Sequence, residues 1–234
     1  NAKMLQVPAN SNCLIALGRG QVEARTFDVP PVPTDELPVI VEMQAPQQFS
    51  QMTEEWTLDF YPQQLDDDLQ ASSVLAAAVS PDTIADVIGI CGPAGLTPTR
   101  ISLRPLLTAA LLCDRYAIAE PILAVDILAD QIELTVVHDH SAPIMRTVQL
   151  PASGVHDTEN IISEIKRTLA SASHLNDTLE IEKLILLGDT DESDLSEALA
   201  KDLKLEVEVL NPFTLTHNGA TPKNTDNLHC GRYA

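Results

Sequence analysis

The chain has 234 residues, of which 44% are hydrophobic, so it is long enough for one or two domains with substantial cores. Its formal net charge is −20, because 34 Asp and Glu stand against 14 Lys and Arg. This charge would repel DNA, RNA and anionic membrane surfaces over most of the protein, so none of them is an expected partner. We interpret the acidity as a source of solubility, with a dedicated basic partner as the alternative.

The four cysteines indicate a reducing compartment. Cys13, Cys91, Cys113 and Cys230 are far apart and form no CxxC pair, which favours buried thiols over a disulfide scaffold or a zinc site. No apolar run approaches the roughly 20 residues that span a bilayer, and no segment resembles a signal peptide. We therefore predict a cytoplasmic protein. The chain starts at Asn1 without an initiator methionine, so we expect a fragment of a longer protein, and a membrane anchor is one candidate for the missing part.

The first module begins with two predicted strands, Cys13–Leu17 and Val22–Val29. Both are short apolar runs, and the glycine-containing residues 18–20 between them predict a turn. The proline-rich run at 30–33 is expected to stop strand pairing, because proline lacks the backbone donor and fixes φ.

A helix is predicted next, from a cap at Thr34 or Asp35 to about Ala45, where Pro46 would end it. The segment 63–70 carries three aspartates and is most simply an exposed hairpin loop, because it lacks the spaced ligands and the glycine of a calcium loop. The other predicted elements are strands at Trp56–Tyr61, Ala71–Val79 and Thr99–Leu103, a helix from Ser80-Pro81-Asp82 closed by Gly92 and Gly95, and a helix at Leu106–Cys113. The first module, residues 1–115, therefore has the order β-β-α-β-β-α-β.

The second module, residues 116–234, starts with three apolar runs separated by short polar turns, which predict an antiparallel meander. A helix, a strand, a helix and a strand follow, as in parallel βα units. The runs are Ile122–Ile127, Ile132–Val137 and Ile144–Leu150, and the later elements are the helix Glu159–Ser173, the strand Leu184–Leu187, a helix from Ser193 and the strand Val207–Leu210. The order β-β-β-α-β-α-β is that of a ribonuclease-H-like half-domain with a mixed sheet, the building block of actin-like ATPases. The predicted fold class is α/β.

Several stretches, in collinear order, carry a wider resemblance. They are Leu14–Pro33, Thr34–Leu37, Leu58–Tyr61, Val74–Arg104, Leu123–Leu150, Ile165–Leu169 and Leu184–Phe213. Together they resemble the PilM-type proteins of type IV pilus assembly, relatives of FtsA in the actin-like superfamily, and the cytoplasmic domains of type II secretion L-type subunits. The resemblance implies that residues 1–115 are an SHS2-like insert module of α+β type and that residues 116–234 are an actin-type half-domain.

The resemblance also implies an ATP site, but this chain departs from the family at that site. No phosphate loop precedes Leu14. The Asp-x-Gly turn of the meander keeps Asp126 but has Leu128 at the glycine position, and the later glycine-rich loop keeps Gly188 but continues with acidic and β-branched residues. Only about ten residues, 151–160, replace the family's helical subdomain. We therefore predict a vestigial nucleotide site at Asp126 and Gly188, with no catalytic residue, metal or cofactor.

Two enzymatic alternatives stay open. The first is a working actin-like ATPase. The second is a ribonuclease-H-like magnesium nuclease, with Asp126, Glu164 and Asp189 at roughly the positions of the metal-binding acids. His138 and His140 could also share one strand face and hold a metal, but we interpret them as part of a solvated turn, because no third ligand is evident.

The resemblance further implies a partner, the cytoplasmic tail of a bitopic inner-membrane pilus or secretion protein. In the family this tail lies in a groove at the insert module, which corresponds here to the Leu14–Val29 strand pair and the Leu37–Ala45 helix. An extended peptide would bind there by apolar pockets and strand-like hydrogen bonds. We therefore expect a non-enzymatic scaffold, cytoplasmic and peripheral to the inner membrane through its partner. An α/β binding module with an unrelated partner is the alternative.

Overall fold

The computed structural model describes residues 10–65, 70–116, 118, 120–128, 131–138, 141–150, 158–175, 179–187 and 193–211. These residues divide into two compact units, one ending at Arg104 and one beginning at Pro105. Within the described residues, the first unit has a two-stranded and a three-stranded sheet, the second has a five-stranded sheet, and each unit has its own buried apolar clusters. Within the described ranges, no helix is both long and apolar enough to cross a membrane.

The first unit contains five strands and two helices within the described residues, in the predicted order. They are β1 (Ser11–Leu17), β2 (Glu23–Pro33), α1 (Leu37–Gln48), β3 (Thr57–Leu65), β4 (Gln70–Val79), α2 (Pro81–Ala94) and β5 (Leu96–Leu103). β2, β4 and β3 form an antiparallel sheet in that order. α1 packs on one face of this sheet, where its fully buried residues Leu37, Val41 and Ala45 form one cluster with the buried Phe27 and Val74. The spacing i, i+4, i+8 gives the helix its buried stripe.

β1 and β2 are not a strand pair, which corrects the sequence prediction. β1 runs parallel to β5, from Ser11 opposite Leu96 to Leu17 opposite Leu103. A short 3-10 turn at Arg19–Gln21, instead of a hairpin, leads from β1 into β2. The Arg19 guanidinium holds this turn by donating to the carbonyls of Val22 at 2.8 Å and Ala24 at 2.6 Å. The chain therefore leaves one sheet and enters another.

Two predicted proline effects are also corrected. Pairing of β2 with β4 is interrupted between Asp28 and Val32 but resumes at Val32, opposite Ala71. β2 is an edge strand of its sheet, and an edge strand tolerates prolines that have no N–H to donate. α1 runs past Pro46 to Gln48, and its N-cap is Glu36 without a side-chain cap bond.

The signals around α2 are confirmed. The Ser80 hydroxyl accepts a hydrogen bond from the Thr83 amide at 3.2 Å, with proline and an acid in the first turn. Gly95 closes the helix with a φ of 70°, a left-handed conformation that glycine adopts without strain. Cys91 lies on the inner face of α2 and is buried, as predicted. Cys230 lies outside the described residues.

The second unit confirms the predicted mixed sheet. Its elements are α3 (Arg104–Arg115), β6 (Ile122–Ile127), β7 (Gln131–His138), β8 (Ser141–Gln149), α4 (Thr158–Leu175), β9 (Lys183–Leu187), α5 (Ser193–Leu203) and β10 (Glu206–Leu210). The strand order is β10-β9-β6-β7-β8, with an antiparallel meander of β6, β7 and β8, and with β9 and β10 parallel to β6. The fold class is α/β, and this unit has the ribonuclease-H-like order.

The helix α3 belongs to the second unit, whereas the sequence analysis placed it in the first module. Ala109 and Leu112 of α3 are buried against Ile122 and Ala124 of β6. On the other face of the sheet, the alternate residues of β6 pack with α4 and α5. This alternation along β6 decides which face each of its polar residues occupies.

Candidate functional site

The predicted nucleotide site is at the end of β6, where the structure places two carboxylates side by side. Asp126 stands directly opposite Glu133 of β7 in the antiparallel register. By alternation from Ile122 and Ala124, Asp126 lies on the α3 face of the sheet. Asp126 is half-buried, and Glu133 is only 2% exposed. Residues opposite each other in such a pair have Cβ atoms about 5 Å apart, so like charges there repel.

The sequence analysis missed Glu133. It is the one charged residue within the apolar run Ile132–Val137, and only the pairing register reveals that it faces Asp126. Its neighbour across the next pair is Thr147 of β8. The Thr147 hydroxyl is buried and, within the described part of the chain, has no hydrogen-bond partner. This sheet face is therefore polar and acidic beside Asp126.

The turn after β6 also differs from a phosphate-binding turn. The amide of Leu128 donates to the Gln131 carbonyl at 2.8 Å, so the hairpin itself uses this donor. A leucine side chain occupies the position where a glycine would let phosphate approach the backbone. The second predicted residue, Gly188, lies outside the described residues, and so do Asp189 and Asp130. Asp126 and Glu133 are thus the part of this site that the structure describes.

Glu164, the second acid of the nuclease alternative, lies elsewhere. It is on α4, between the buried Ile161 and Ile165 that pack on the opposite face of the sheet from α3. Its carboxylate accepts hydrogen bonds from Arg146 of β8 at 3.1 Å and from Arg167 at 2.5 Å. The structure therefore does not bring Asp126 and Glu164 together. The described residues contain no group of three or more His, Cys, Asp or Glu that could hold a metal ion.

The interpretation of His138 and His140 as part of a solvated turn stays a prediction. His138 ends β7 and is half-buried, and its carbonyl accepts a hydrogen bond from the Ser141 hydroxyl at 2.7 Å. His140 lies outside the described residues. The bond from Ser141 belongs to the connection between β7 and β8.

A polar network at the other end of the sheet is structural. Lys183 of β9 reaches Glu208 of β10 at 2.7 Å and Glu206 at 3.0 Å, and its ammonium lies 5.3 Å from the centre of the Tyr116 ring. The Tyr116 hydroxyl donates to Glu208 at 2.5 Å. Burial and this hydrogen bond raise the pKa of Tyr116 to about 12, and the bonds from Lys183 and Tyr116 lower the pKa of Glu208. The network fixes the residue after α3 to the edge strand β10.

The predicted docking region is changed in one respect. Its two strands, β1 and β2, belong to different sheets, so they cannot present one continuous strand pair. The helix α1 is present, and its outer face is apolar: Val39 is 63% and Met43 is 73% exposed. The sequence signal for this face is that Glu42 is the one charged residue between Leu37 and Gln48. Most exposed helix faces of globular proteins carry polar side chains instead.

Comparison with solved structures shows which known proteins have a similar fold. No family model matches the chain, and no curated protein matches it in sequence. A chain of the PilM–PilN type IV pilus biogenesis complex is 20% identical, with a TM-score of 0.70 over 87% of this chain and 70% of that one. A Bacteroides thetaiotaomicron protein with an actin-like ATPase fold is 13% identical over 88% of this chain and 72% of its own, with a TM-score of 0.49.

The cytoplasmic domain of EpsL, an inner-membrane component of the Vibrio cholerae type II secretion system, is also similar. It is 14% identical, with a TM-score of 0.47 over 86% of this chain and 66% of that one. At these identities the similarity concerns the fold alone, and the conclusion rests on the match to the pilus-complex protein, whose TM-score is 0.70. The chain therefore shares the fold of this pilus-complex protein, as the resemblance seen in its sequence predicted.

Proposed function

We propose that this protein is a non-enzymatic scaffold of a type IV pilus or type II secretion platform at the bacterial inner membrane. It would act in the cytoplasm and be held near the membrane by docking the cytoplasmic tail of a membrane partner. The observation that carries the proposal is the TM-score of 0.70, over 87% of this chain, to a protein of the PilM–PilN complex. That relative is part of a pilus biogenesis complex, and the shared fold supports a similar role for this chain.

The chemistry at the end of β6 supports a scaffold over an ATPase. A nucleotide site needs donors or cations facing the phosphates. The described residues beside Asp126 in the sheet are Glu133 and Leu187, an acid and a leucine. A triphosphate placed there would meet the half-buried Asp126 carboxylate, with the buried Glu133 carboxylate opposite Asp126 in the sheet. We therefore propose that the site is degenerate.

Thermal unfolding with nucleotide tests the degenerate site. We expect no change in Tm with ATP and Mg²⁺ at millimolar concentration, compared with ADP and with buffer alone. A functional site at a hundredfold excess over its Kd would stabilise the protein by about 2.7 kcal/mol, or several degrees. Asp126→Asn is the control variant. An ATP-dependent rise in Tm that disappears in this variant would return the protein to the working actin-like ATPases.

Peptide binding tests the docking role. Synthetic peptides are made for the N-terminal cytoplasmic tails of the single-span inner-membrane proteins encoded in the source genome, and each is titrated by fluorescence anisotropy. We expect saturable binding of one tail, or of a few related ones, with micromolar Kd, as is common for short extended peptides. A panel in which no tail binds, at protein concentrations up to about 100 µM, would contradict the docking role.

A further inference from the structure

The outer face of α1 carries an exposed apolar pair in a unit rich in acidic residues, in which α2 also exposes Ile88 and Ile90. Val39 and Met43 are one helical turn apart, so their side chains are neighbours on the helix surface. Both stay exposed, although the opposite stripe of Leu37, Val41 and Ala45 is fully buried. Methionine is flexible and polarisable, and it recurs on surfaces that bind helices or peptides. This helix therefore has two apolar faces but packs only one of them within the described structure.

Charge surrounds this apolar pair. Glu36 precedes Val39 by three residues and Glu42 follows it by three, so both carboxylates are on its flank, and both are exposed. The wider sequence is one-sided: from Thr26 to Thr99 there are twelve Asp and Glu and no Lys, Arg or His. This span contains α1 and most of the first unit. A negative field of this kind favours a positively charged binding partner and speeds its association.

The same negative charge disfavours binding of two other partners to the outer face of α1. A second copy of the chain would bring its own net charge of −20 to the contact, and like charges opposed across an interface are costly. An anionic membrane surface is repelled for the same reason. A protein segment near the cytoplasmic face of a membrane span is different, because such segments carry an excess of Lys and Arg.

We propose that the outer face of α1, built on Val39 and Met43, binds an amphipathic partner segment that carries Lys or Arg beside its apolar residues. Val39 and Met43 bury the apolar side of the segment, and Glu36 and Glu42 face its cations. This inference rests on the proposed scaffold role and gives it a partner chemistry and a surface. Of the two explanations given for the acidic composition, solubility and a basic partner, the proposal favours a basic partner.

A designed peptide provides a direct test. The probe is a fluorescent 16-residue peptide of Leu and Lys with Leu at helical spacing, and its two controls are a scrambled isomer and a version with Glu in place of Lys. We expect the probe to bind more tightly than either control. V39S/M43S should weaken probe binding at least tenfold with an unchanged Tm. I88S, which alters an exposed isoleucine of α2 in the same unit, should change it less than twofold.

A matched pair of substitutions tests the contribution of charge to probe binding. Glu42→Lys should weaken probe binding several-fold and flatten its dependence on salt between 50 and 300 mM, because screening acts on the charges that Glu42 contributes. Asp86→Lys, an exposed mid-helix carboxylate of α2, should have a clearly smaller effect. Equal effects of the two substitutions, or of V39S/M43S and I88S, would mean general attraction to an acidic protein and would overturn the proposal.

The binding tail from the genomic panel separates this inference from the scaffold role. If a tail binds and V39S/M43S weakens it, both stand. If a tail binds equally well to V39S/M43S, the scaffold role stands and the α1 surface is overturned. If the designed probe binds through Val39 and Met43 but no tail binds, the surface stands and the docking role fails.

Discussion

The helix α1 packs on the β2-β4-β3 sheet and the helix α4 packs on the five-stranded sheet, and the outer faces of these two helices differ. α4 buries Ile161, Ile165 and Ala172, and its outer side carries charges such as Lys166 and Arg167. α1 buries an equally complete stripe, but its outer side carries Val39 and Met43. The apolar residues of α4 are therefore buried within its own unit, whereas α1 leaves apolar side chains exposed to water.

The largest expected effect separates the two faces of α1. Leu37→Ala should lower the free energy of unfolding by about 3 kcal/mol, because it removes a fully buried side chain and leaves a cavity. Val39→Ala should change it by less than about 0.5 kcal/mol, because its side chain is largely exposed. Urea unfolding of both variants measures the difference. Similar losses would show that Val39 is packed in solution and would remove the contrast with α4.

The second prediction concerns the polar anchor of α4. Glu164→Ala should cost about 2 kcal/mol, since it takes the partner from the half-buried Arg146 and removes two charge-assisted hydrogen bonds. The control is Lys166→Ala, whose partner Asp202 is exposed and whose loss should cost less than about 0.5 kcal/mol. Urea unfolding at low and high salt measures both. Equal costs would mean that the Arg146–Glu164 contact contributes nothing beyond an exposed ion pair.

A third effect sits at the end of α3. Tyr116→Phe should cost about 1 kcal/mol at pH 7 through the lost hydrogen bond to Glu208. The pKa of Tyr116 is raised to about 12 in the folded state, so its contribution is complete below pH 10 and declines as the pH rises from 10 to 12. Unfolding by urea between pH 8 and pH 12 measures this. Wild type should approach the variant at the alkaline end, and a constant difference would refute the raised pKa.

At low pH the contribution of Glu208 to stability has the opposite pH dependence to that of Tyr116. The pKa of Glu208 is lowered by Lys183 and Tyr116, so its contribution is present above its unfolded pKa and is lost as the pH falls through the folded value. Glu208→Gln should therefore lose less stability than wild type on acidification below pH 4.5. An exposed carboxylate, that of Glu197 on α5, provides the control when it is changed to glutamine.

The smallest effect tests the outer face of α1 alone. V39S/M43S should leave the unfolding free energy within about 0.5 kcal/mol of wild type and reduce the fluorescence of a hydrophobic dye bound to the native protein. Native-state dye fluorescence measures this, with I88S as the control. An unchanged signal would show that this face is not an apolar binding surface for the dye.

Much of the fold could be predicted from the sequence because its signals are local. Short apolar runs and turn residues predicted the three strands of the meander. The residues Ser80-Pro81-Asp82 and Gly95 predicted where α2 begins and ends. The predictions that failed depended on distant parts of the chain. Tandem strands predicted a hairpin of β1 with β2, but the partner of β1 is β5, about 85 residues away. The helix α3 was assigned to the preceding module, although its buried residues pack on β6.

At the candidate site, too, local features could be predicted from the sequence and long-range contacts could not. Asp126 could be identified as the retained acid of a nucleotide-binding turn and Leu128 as a departure from it, because each stands at a recognisable place in one hairpin. Glu133 could not, because its position beside Asp126 is a property of the register between β6 and β7. Glu164 was placed near Asp126 by topology alone, but side-chain alternation and the bonds from Arg146 put it on the other face.

The sequence by itself determined the charge, the order of the strands and helices, and the family likeness, because these depend on composition and on short-range periodicity. Tertiary structure alone decided which strands pair, which carboxylates meet, and that α1 keeps an exposed apolar face. Those outcomes depend on pairing registers and on packing between segments far apart in the chain, where no local pattern specifies the partner.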